Sequence, residues 1–548
     1  MTQICCIAAI GALSFSLQPE LSGFSTIINI PEDMPTISGG IGSDTQLNLS
    51  DDGVILSDQS NRFEIGPPDG SGSNIEVNIT AGEAGDFIHA YSGSTVNISG
   101  GRVGNAFFSA GPVTLSGGKL GQDFQPTGPF EYAGGVIGRG ISATSPLANV
   151  TLVGDLFTLN DAPASPGDTF NINIGSTLSG IASDGTPFVF TSIRGDLLLN
   201  PIDLEIAELP PIDTTPVTIN AGHWPEPGIA RGQTLTVEGT ASLADDFIVY
   251  DASLRVEGGT VGEYLMVVAG GDLSASGGTF GNQVNILAGG SADISGGNFQ
   301  VFRVERNATM NFSGGQIDVL ILAGPDSPTM ISGGTITELR PLAGPATITG
   351  GEILSPVDVV GSIPLAIAGG TFGDDITVSS TADVSGGTFL GDLIALNGSN
   401  TNFYGSGFIL NGTPVEGLAP GETVEFSGTE ISTLSCVLAD GSEFVLTPGS
   451  VFTGAATISF TFIPCDTDLT TTAATLPGSA GYAVPDGVTD LDDLGYFIVA
   501  WLDQNLAIAD LTTSGSTLPT AERYAIPDGI VDLDDLGYFL NGWLNGCP

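Results

Sequence analysis

Short runs in which apolar and polar residues alternate dominate the chain between residues 256 and 389. Val284 and Ile286 alternate with polar neighbours, and so do Ala292 and Ile294. A side-chain period of two residues is that of a β-strand, and this segment has no apolar stretch with helical spacing. The pattern therefore predicts many short strands separated by turns.

A Gly-Gly pair recurs through the same segment, and a large apolar residue follows two positions after each pair. Successive apolar residues of this column lie 17 to 19 residues apart: Val261, Phe280, Phe299, Ile317, Ile336, Ile353, Phe372 and Phe389. A second column precedes the glycines: Ile294, Phe312, Ile331, Ile348, Ile367 and Val384. A fixed period of this length predicts coils of three short strands, which stack in parallel so that like residues form ladders. The glycine pairs are expected at the corners, where a positive φ costs glycine least.

The predicted fold is thus all-β, a parallel β-helix or β-solenoid. Crossover sterics favour a right-handed coil, and a left-handed coil of similar length is the open alternative. Residues 36–140 repeat the glycine device less regularly, as in TISGG at 36–40 and NISGG at 97–101. Two solenoid units in tandem are therefore expected.

A longer duplication predicts β caps for the two solenoids, because an uncapped solenoid end exposes a strand edge that invites aggregation. Residues 157–190 and 408–446 share the motifs FTLNDAP and FILNGTP, followed by LSGIASDGTPFVF and LSCVLADGSEFVL. Their Asp-Gly and Gly-rich turns are typical of hairpins. The expected organisation is a signal peptide, a first solenoid with its cap, a Pro-rich linker, a second solenoid with its cap and a C-terminal module, at residues 1–16, 36–207, 208–216, 217–464 and 465–548.

Charge excludes two classes of partner. The chain carries 11 basic and 61 acidic residues, for a formal net charge of −50, and Lys119 is the only lysine. A nucleic-acid binder needs a basic patch to displace phosphate counterions, and an anionic membrane surface would repel this chain. The excess of carboxylates favours solubility and cation binding.

The N-terminus and the cysteines indicate secretion. The apolar stretch at 4–17 has the length of a signal peptide, and no later segment is long and apolar enough to span a membrane. Cys465 and Cys547 bracket the C-terminal module and are expected to form a disulfide in an oxidising compartment. Cys436 would then be a buried free thiol, with a Cys436–Cys465 bond as the competing arrangement.

The last 83 residues contain one acidic motif twice, YAVPDGVTDLDDLGYFIVAWL at 482–502 and YAIPDGIVDLDDLGYFLNGWL at 524–544. An EF-hand loop places side-chain oxygens at positions 1, 3, 5, 9 and 12, a carbonyl at 7 and glycine at 6. With glycine aligned at position 6, the predicted ligands of the two loops are Asp486, the Val488 carbonyl, Asp490 and Asp493, then Asp528, the Ile530 carbonyl, Asp532 and Asp535. The usual positions 1 and 3 hold no good ligand, so Asp468 and Asp510 are expected to reach the ion from enlarged loops.

An apolar run with helical spacing follows each loop. The runs hold Leu494, Phe497 and Trp501 in one copy and Leu536, Phe539 and Trp543 in the other, and the two faces are expected to pack together. The alternative is that the aspartates only cap the helices.

Residues 465–548, with their paired Asp-Gly loops and terminal Gly-Cys-Pro, resemble the C-terminal module of bacterial GC-type dockerin domain-anchored proteins. The resemblance implies calcium binding and docking onto a cohesin-like or envelope scaffold at the cell surface.

These features favour a secreted, non-catalytic, surface-associated structural or adhesin-like protein. The main alternatives are a polysaccharide lyase or hydrolase and a carbohydrate-binding protein, because parallel β-helices carry such activities. The solenoid offers isolated arginines, no lysine in its regular part, the lone histidines His89 and His223, and the acidic pairs Asp245-Asp246 and Asp374-Asp375. Such aspartates at coil corners are typical of turns, and most phenylalanines fall in the inward columns rather than in an outer binding ladder.

Overall fold

The computed structural model describes residues 23–168, 170–225, 227–360, 364–418, 422–446, 449–453, 455–462, 491–511 and 529–545, with all side chains except those of 492, 507 and 541–545. The predicted signal peptide lies outside these residues. The chain forms an all-β solenoid of about 20 turns, and the residues described after it contain three helices. It divides into two compact units, of which unit 1 is residues 1–152, 169–171 and 197–203 and unit 2 is the remainder. Most of the duplicated segment at 157–190 therefore belongs to unit 2.

Unit 1 is built from parallel ladders that follow successive coils. Its longest ladder contains Thr26–Ile30, Thr45–Leu49, Ile75–Ile79, Ser94–Val103, Val113–Leu120 and Phe130–Ile137, and it continues into Val150–Leu159. The shorter strands on the other faces are Thr36–Ser38, Gly40–Ile41, Val54–Leu56, Phe63–Ile65, Glu83–Ala84, Ile88–Ala90, Phe108–Ser109, Gln125–Pro126, Ser142–Ala143 and Leu197–Leu198. Leu47, Val77 and Val96 stack inside this unit and are buried.

Unit 2 begins with coils in which three strands are separate. The strands of the first coils are Val217–Ile219, His223–Trp224, Gly228–Ala230, Thr234–Val237, Ser242–Leu243, Ile248–Tyr250, Ser253–Val256, Thr260–Val261 and Leu265–Val268. In the following coils neighbouring strands merge: Asp272–Phe280, Gln283–Ile286, Ser291–Val304, Thr309–Phe312, Gln316–Leu322, Thr329–Pro341, Ala346–Ile353, Val357–Val359, Pro364–Phe372, Ile376–Val378, Thr381–Phe389 and Leu393–Ala395. Leu254 pairs with Leu273 in parallel, which confirms the predicted solenoid.

Both apolar columns form the predicted ladders. Val261 pairs with Phe280, and from Phe299 to Phe389 each member of the column pairs with the next. The Phe280 and Phe299 rings stack with centroids 4.1 Å apart. The second column is also continuous, because Ile294 pairs with Phe312 and each later member pairs with the next. The column residues are buried except Phe389, which is half-buried.

The two glycines of a corner meet different structural requirements, as Gly369 and Gly370 show. Gly370 has a φ of +91°, the left-handed conformation that the sequence pattern predicts. At Gly369 the constraint is close approach, because an added Cβ would lie 2.4 Å from the carbonyl oxygen of Thr349 on the preceding coil. The first glycine is therefore required by stacking of the coils, and the second by the bend.

The duplicated segments form antiparallel hairpins, as predicted. Cap 1 denotes residues 153–196, with strands Val150–Leu159, Ala162–Pro163, Thr177–Ala182 and Pro187–Thr191; Ile202–Ile206 follows. Cap 2 denotes residues 400–462, with strands Asn400–Leu410, Thr413–Pro414, Thr423–Ser427, Leu434–Leu438, Glu443–Val445, Val451–Phe452 and Thr457–Phe462. Between residues 208 and 216, where a Pro-rich linker is predicted, the chain has no strand or helix.

Three helices follow the solenoid: α1 (Leu491–Leu502), α2 (Leu506–Ala509) and α3 (Leu533–Asn545). Within the described residues, no helix combines the length and the hydropathy that a membrane span requires.

Candidate metal centre

The first and third helices pack through the apolar faces that the sequence predicts. Phe497 and Phe539 occupy equivalent positions in the two copies, and their rings stack with centroids 3.9 Å apart and an interplanar angle of 5°. Ala500, Ala509 and Val531 are buried around them. The two copies thus share one small core, which fixes the start of α3 against α1 and α2. The side chain of Trp543 lies outside the described part of the chain.

The start of α3 is held by a reciprocal cap between Asp532 and Asp535. The Asp532 carboxylate accepts the backbone N–H of Asp534 at 2.8 Å, and the Asp535 carboxylate accepts the backbone N–H of Asp532 at 2.8 Å. Asp532 caps the helix through the N–H of the second helical residue, and Asp535 at the third position accepts the N–H of Asp532, as the third residue of a capping box does. Helix capping therefore explains these two hydrogen bonds.

Two further hydrogen bonds are not explained by helix capping. The Asp510 carboxylate accepts the backbone N–H of Gly529 at 2.7 Å, across 19 residues of sequence. The second oxygen of Asp535 accepts the backbone N–H of Leu511 at 2.7 Å, across 24 residues. These bonds bring the segment at Asp510 against the loop that precedes α3. Both are contacts that a purely local cap would not need.

The same contacts bring Asp510 to the second predicted loop. Gly529 is position 6 of the predicted second loop, and Asp510 is the residue expected to supply its missing front ligand. The carboxylates of Asp510, Asp532 and Asp535, three predicted ligands of this loop, accept backbone N–H groups of residues 511, 529, 532 and 534. Ile530 adjoins Gly529, and its carbonyl is the predicted oxygen at position 7. Carboxylate and carbonyl oxygens are the ligand type that hard cations such as calcium prefer.

Burial supports a special role for the last acid of each loop. Asp493 and Asp535 occupy equivalent positions, and the exposed fraction of each residue is 0%. A buried carboxylate is costly unless hydrogen bonds or a cation compensate for its lost hydration. The chain nevertheless places such a residue at the start of both helices.

Several predicted ligands lie outside the described residues, namely Asp468, Asp486, Val488, Asp490 and Asp528. Among the residues that are described, no group of three or more His, Cys, Asp or Glu side chains is arranged to hold a metal ion. The first loop can therefore be compared only through Asp493. The predicted Cys465–Cys547 disulfide also lies outside the described ranges.

One contact in this region was not anticipated from the sequence. The indole N–H of Trp501 donates to the backbone carbonyl of Asp532 at 2.6 Å, which ties the end of α1 to the loop before α3. Helical spacing places Trp501 only on the apolar face. Its polar indole edge was the available signal, because a buried tryptophan N–H usually finds an acceptor.

The acidic pairs of the solenoid serve the backbone of the next coil. Asp375 accepts the backbone N–H of Asp392 at 2.7 Å, and Asp245 accepts that of Glu263 at 2.8 Å. These bonds match the predicted role of corner aspartates in turns.

The two histidines, His89 and His223, are far apart in the sequence. His89 contacts the rings of Tyr91 and Phe108, and burial lowers its pKa.

The Cys436 thiol is free and buried, as one of the two predicted arrangements requires. Burial raises the pKa of Cys436 to about 12. A thiol in this setting remains protonated and inert near neutral pH. Cys436 packs in the apolar core of cap 2.

Comparison with known proteins yields no relative: no family model, no curated protein and no solved structure matches this chain.

Proposed function

We propose that this chain is a secreted, non-catalytic β-solenoid protein that a calcium-binding, dockerin-like helical module attaches to a cell-surface scaffold. The observation that carries the proposal is the pair of long-range bonds from Asp510 to Gly529 and from Asp535 to Leu511. They join two acidic segments around one short loop. Calcium held between such carboxylates would stabilise this loop and the packing of α1 on α3.

The solenoid is the displayed part in this proposal. Its inner columns are filled by aliphatic and aromatic residues, and its corner aspartates bind neighbouring backbone N–H groups. Its described surface thus uses these carboxylates for coil stacking. The net charge of −50 keeps the chain soluble, and calcium in the surroundings would screen its self-repulsion.

Calcium titration of the full chain by calorimetry tests the first half of the proposal. The expected result is about two ions bound more tightly than the diffuse ions around the remaining carboxylates. Asp535→Asn should remove one of these tight sites and leave the other. Asp503→Asn is the matched control, because Asp503 is exposed and lies in the same module, just after α1.

Trp501 offers an independent readout, since its indole N–H contacts the loop carbonyl of Asp532. Its fluorescence should change on calcium addition in the wild-type chain and in Asp503→Asn, and much less in Asp535→Asn. Equal titrations in all three proteins would contradict the metal site. Attachment is tested separately by binding the chain to a cell-envelope fraction, which chelator should release. Binding that survives both chelator and Asp535→Asn would refute calcium-dependent anchoring.

A further inference from the structure

The two caps are copies of one structure down to the hydrogen-bond register. In cap 1, Ser179 pairs with both Thr158 and Val189. In cap 2, the equivalent Ser435 pairs with both Ile409 and Val445. A bulge interrupts the first strand at the same point in both caps, with Leu156 at a φ of 55° and Gly407 at a φ of 58°.

The inner face of each cap carries buried phenylalanines. In cap 2, Phe408, Cys436 and Phe444 belong to the same apolar core as the solenoid columns. In cap 1 the equivalent positions are Phe157, Gly180 and Phe188, where an added Cβ on Gly180 would lie 2.8 Å from the Phe157 ring. At this point of the inner face the caps therefore differ, because cap 2 has the Cys436 side chain where cap 1 has none.

The outer face of cap 1 packs on the flank of the second solenoid, within unit 2. Ile181 and Val189 are fully buried in one cluster with side chains of four successive coils. On the flank these side chains include Ile248, Met266 and Val268, which alternate with inward residues that are also buried. Tyr250 adds a hydrogen bond from its hydroxyl to the Leu156 carbonyl of cap 1. Cap 1 thus packs on a solenoid flank through its outer face, in addition to its predicted role as the cap of a solenoid end.

The equivalent outer face of cap 2 is open to solvent. Val445, which corresponds to the buried Val189, is 66% exposed, and Ile409 is 41% exposed. The two lie in one row across Ser435. Cap 2 therefore exposes the apolar residues of an outer face that in cap 1 packs on a solenoid flank.

The flank that cap 1 covers continues beyond it. Asn307 donates to the Asn160 carbonyl at the far hairpin of cap 1. The next coils present outward side chains that are half-buried or exposed: Val319, Ile321, Ala323, Glu338, Arg340 and Leu342. We call these six residues the free flank. Leu342 is 51% exposed.

We propose that the outer face of cap 2 of one molecule docks on the free flank of a second copy of this chain, as cap 1 docks on the first coils within the chain. Charge supports the free flank as the partner. Glu443 of cap 2 is exposed and stands where cap 1 has the buried Pro187. An acid at this position would be costly against the buried, mainly apolar side chains under cap 1, whereas the free flank presents the exposed Arg340, which also forms an ion pair with Glu338 of that flank. The two surfaces are different, so the contact is heterologous and can propagate into chains of molecules.

Complementation between two single variants tests the proposal by sedimentation of the full chain. The buffer contains chelator, so that the outcome is independent of the calcium site, and about 0.5 M salt to screen the acidic net charge. Val445→Asp damages the cap face, and Leu342→Asp damages the flank. Ile174→Asp is the control, because Ile174 is 94% exposed and belongs to neither surface. Circular dichroism of all variants checks that the fold is retained.

The wild-type chain and Ile174→Asp should form concentration-dependent species larger than dimers. Each of the other two variants alone should have a dissociation constant raised more than about tenfold, as expected for a charge in an apolar contact. Mixed together they should form dimers that grow no further, since each supplies one intact surface. The proposal is overturned if the wild-type chain stays monomeric at about 0.1 mM. It is equally overturned if Leu342→Asp assembles normally, because the partner surface would then lie elsewhere.

Discussion

Substitution of one corner glycine tests the idea that coil stacking, and not only backbone bending, selects glycine. In Gly369→Ala the new Cβ would meet the Thr349 carbonyl oxygen at 2.4 Å. An ordinary contact begins near 3.4 Å, so the two coils must separate by about 1 Å at this point. This displacement is large compared with the strand spacing of about 4.8 Å that the ladder hydrogen bonds require. The neighbouring ladder bond from the Gly373 N–H to the Ile353 carbonyl, at 2.8 Å, would be strained.

The expected cost follows from these contacts. One or two weakened ladder bonds contribute about 0.5–1.5 kcal/mol each, and overpacking adds about 1–3 kcal/mol. Gly369→Ala should therefore destabilise its coil by about 2–4 kcal/mol. The matched control is Gly373→Ala, directly after the same strand. There the nearest atom to the new Cβ is 3.4 Å away, and φ is outside the left-handed region. This control should change the free energy of unfolding by less than about 1 kcal/mol, and alanine can even stabilise it.

Hydrogen exchange is the appropriate assay, because a stacked solenoid need not unfold in one cooperative step. Amides of Pro364–Phe372 and of the paired Ala346–Ile353 should exchange faster in Gly369→Ala, whereas those of unit 1 should be unchanged. Urea unfolding gives the global comparison. Equal protection in Gly369→Ala and the wild-type chain would refute the reasoning, and so would an equal loss in the Gly373→Ala control.

Three further predictions concern buried side chains. Phe299→Ala should cost about 3–5 kcal/mol in unfolding experiments, because the ring is buried and stacks on Phe280 at 4.1 Å; a loss below about 1 kcal/mol would contradict its core role. Tyr250→Phe should speed hydrogen exchange in cap 1 and destabilise it by about 1 kcal/mol, since the variant loses the hydroxyl that binds the Leu156 carbonyl. Burial raises the pKa of Cys436 from its ordinary value of 9.0 to about 12, so its stabilising contribution is complete below about pH 9 and falls as the pH rises toward 12. Peptide mapping after alkylation at pH 8 should find Cys436 unmodified in the folded chain and modified in denaturant; rapid native labelling would show that the thiol is accessible.

The sequence alone determined the solenoid, its two inner columns and the hairpins of both caps. The reason is that one local unit repeats: each coil must present the same inward positions to its neighbours, so the period is visible without knowledge of any long-range contact. The apolar faces of α1 and α3 followed from helical spacing in the same way. Phe497 and Phe539, equivalent in the two copies, do meet.

The contacts that do not follow the repeat were decided only by the tertiary structure. It assigned most of the segment 153–196 to unit 2 and placed the outer face of cap 1 on the second solenoid. A signal was present in LMVV at 265–268, where apolar residues occupy outward as well as inward positions, but it does not name the covering element. The close approach at Gly369 and the bond from Asp510 to Gly529 likewise depend on distances between segments 19 or more residues apart. Such contacts arise from how completed elements pack, and residue order alone does not specify that packing.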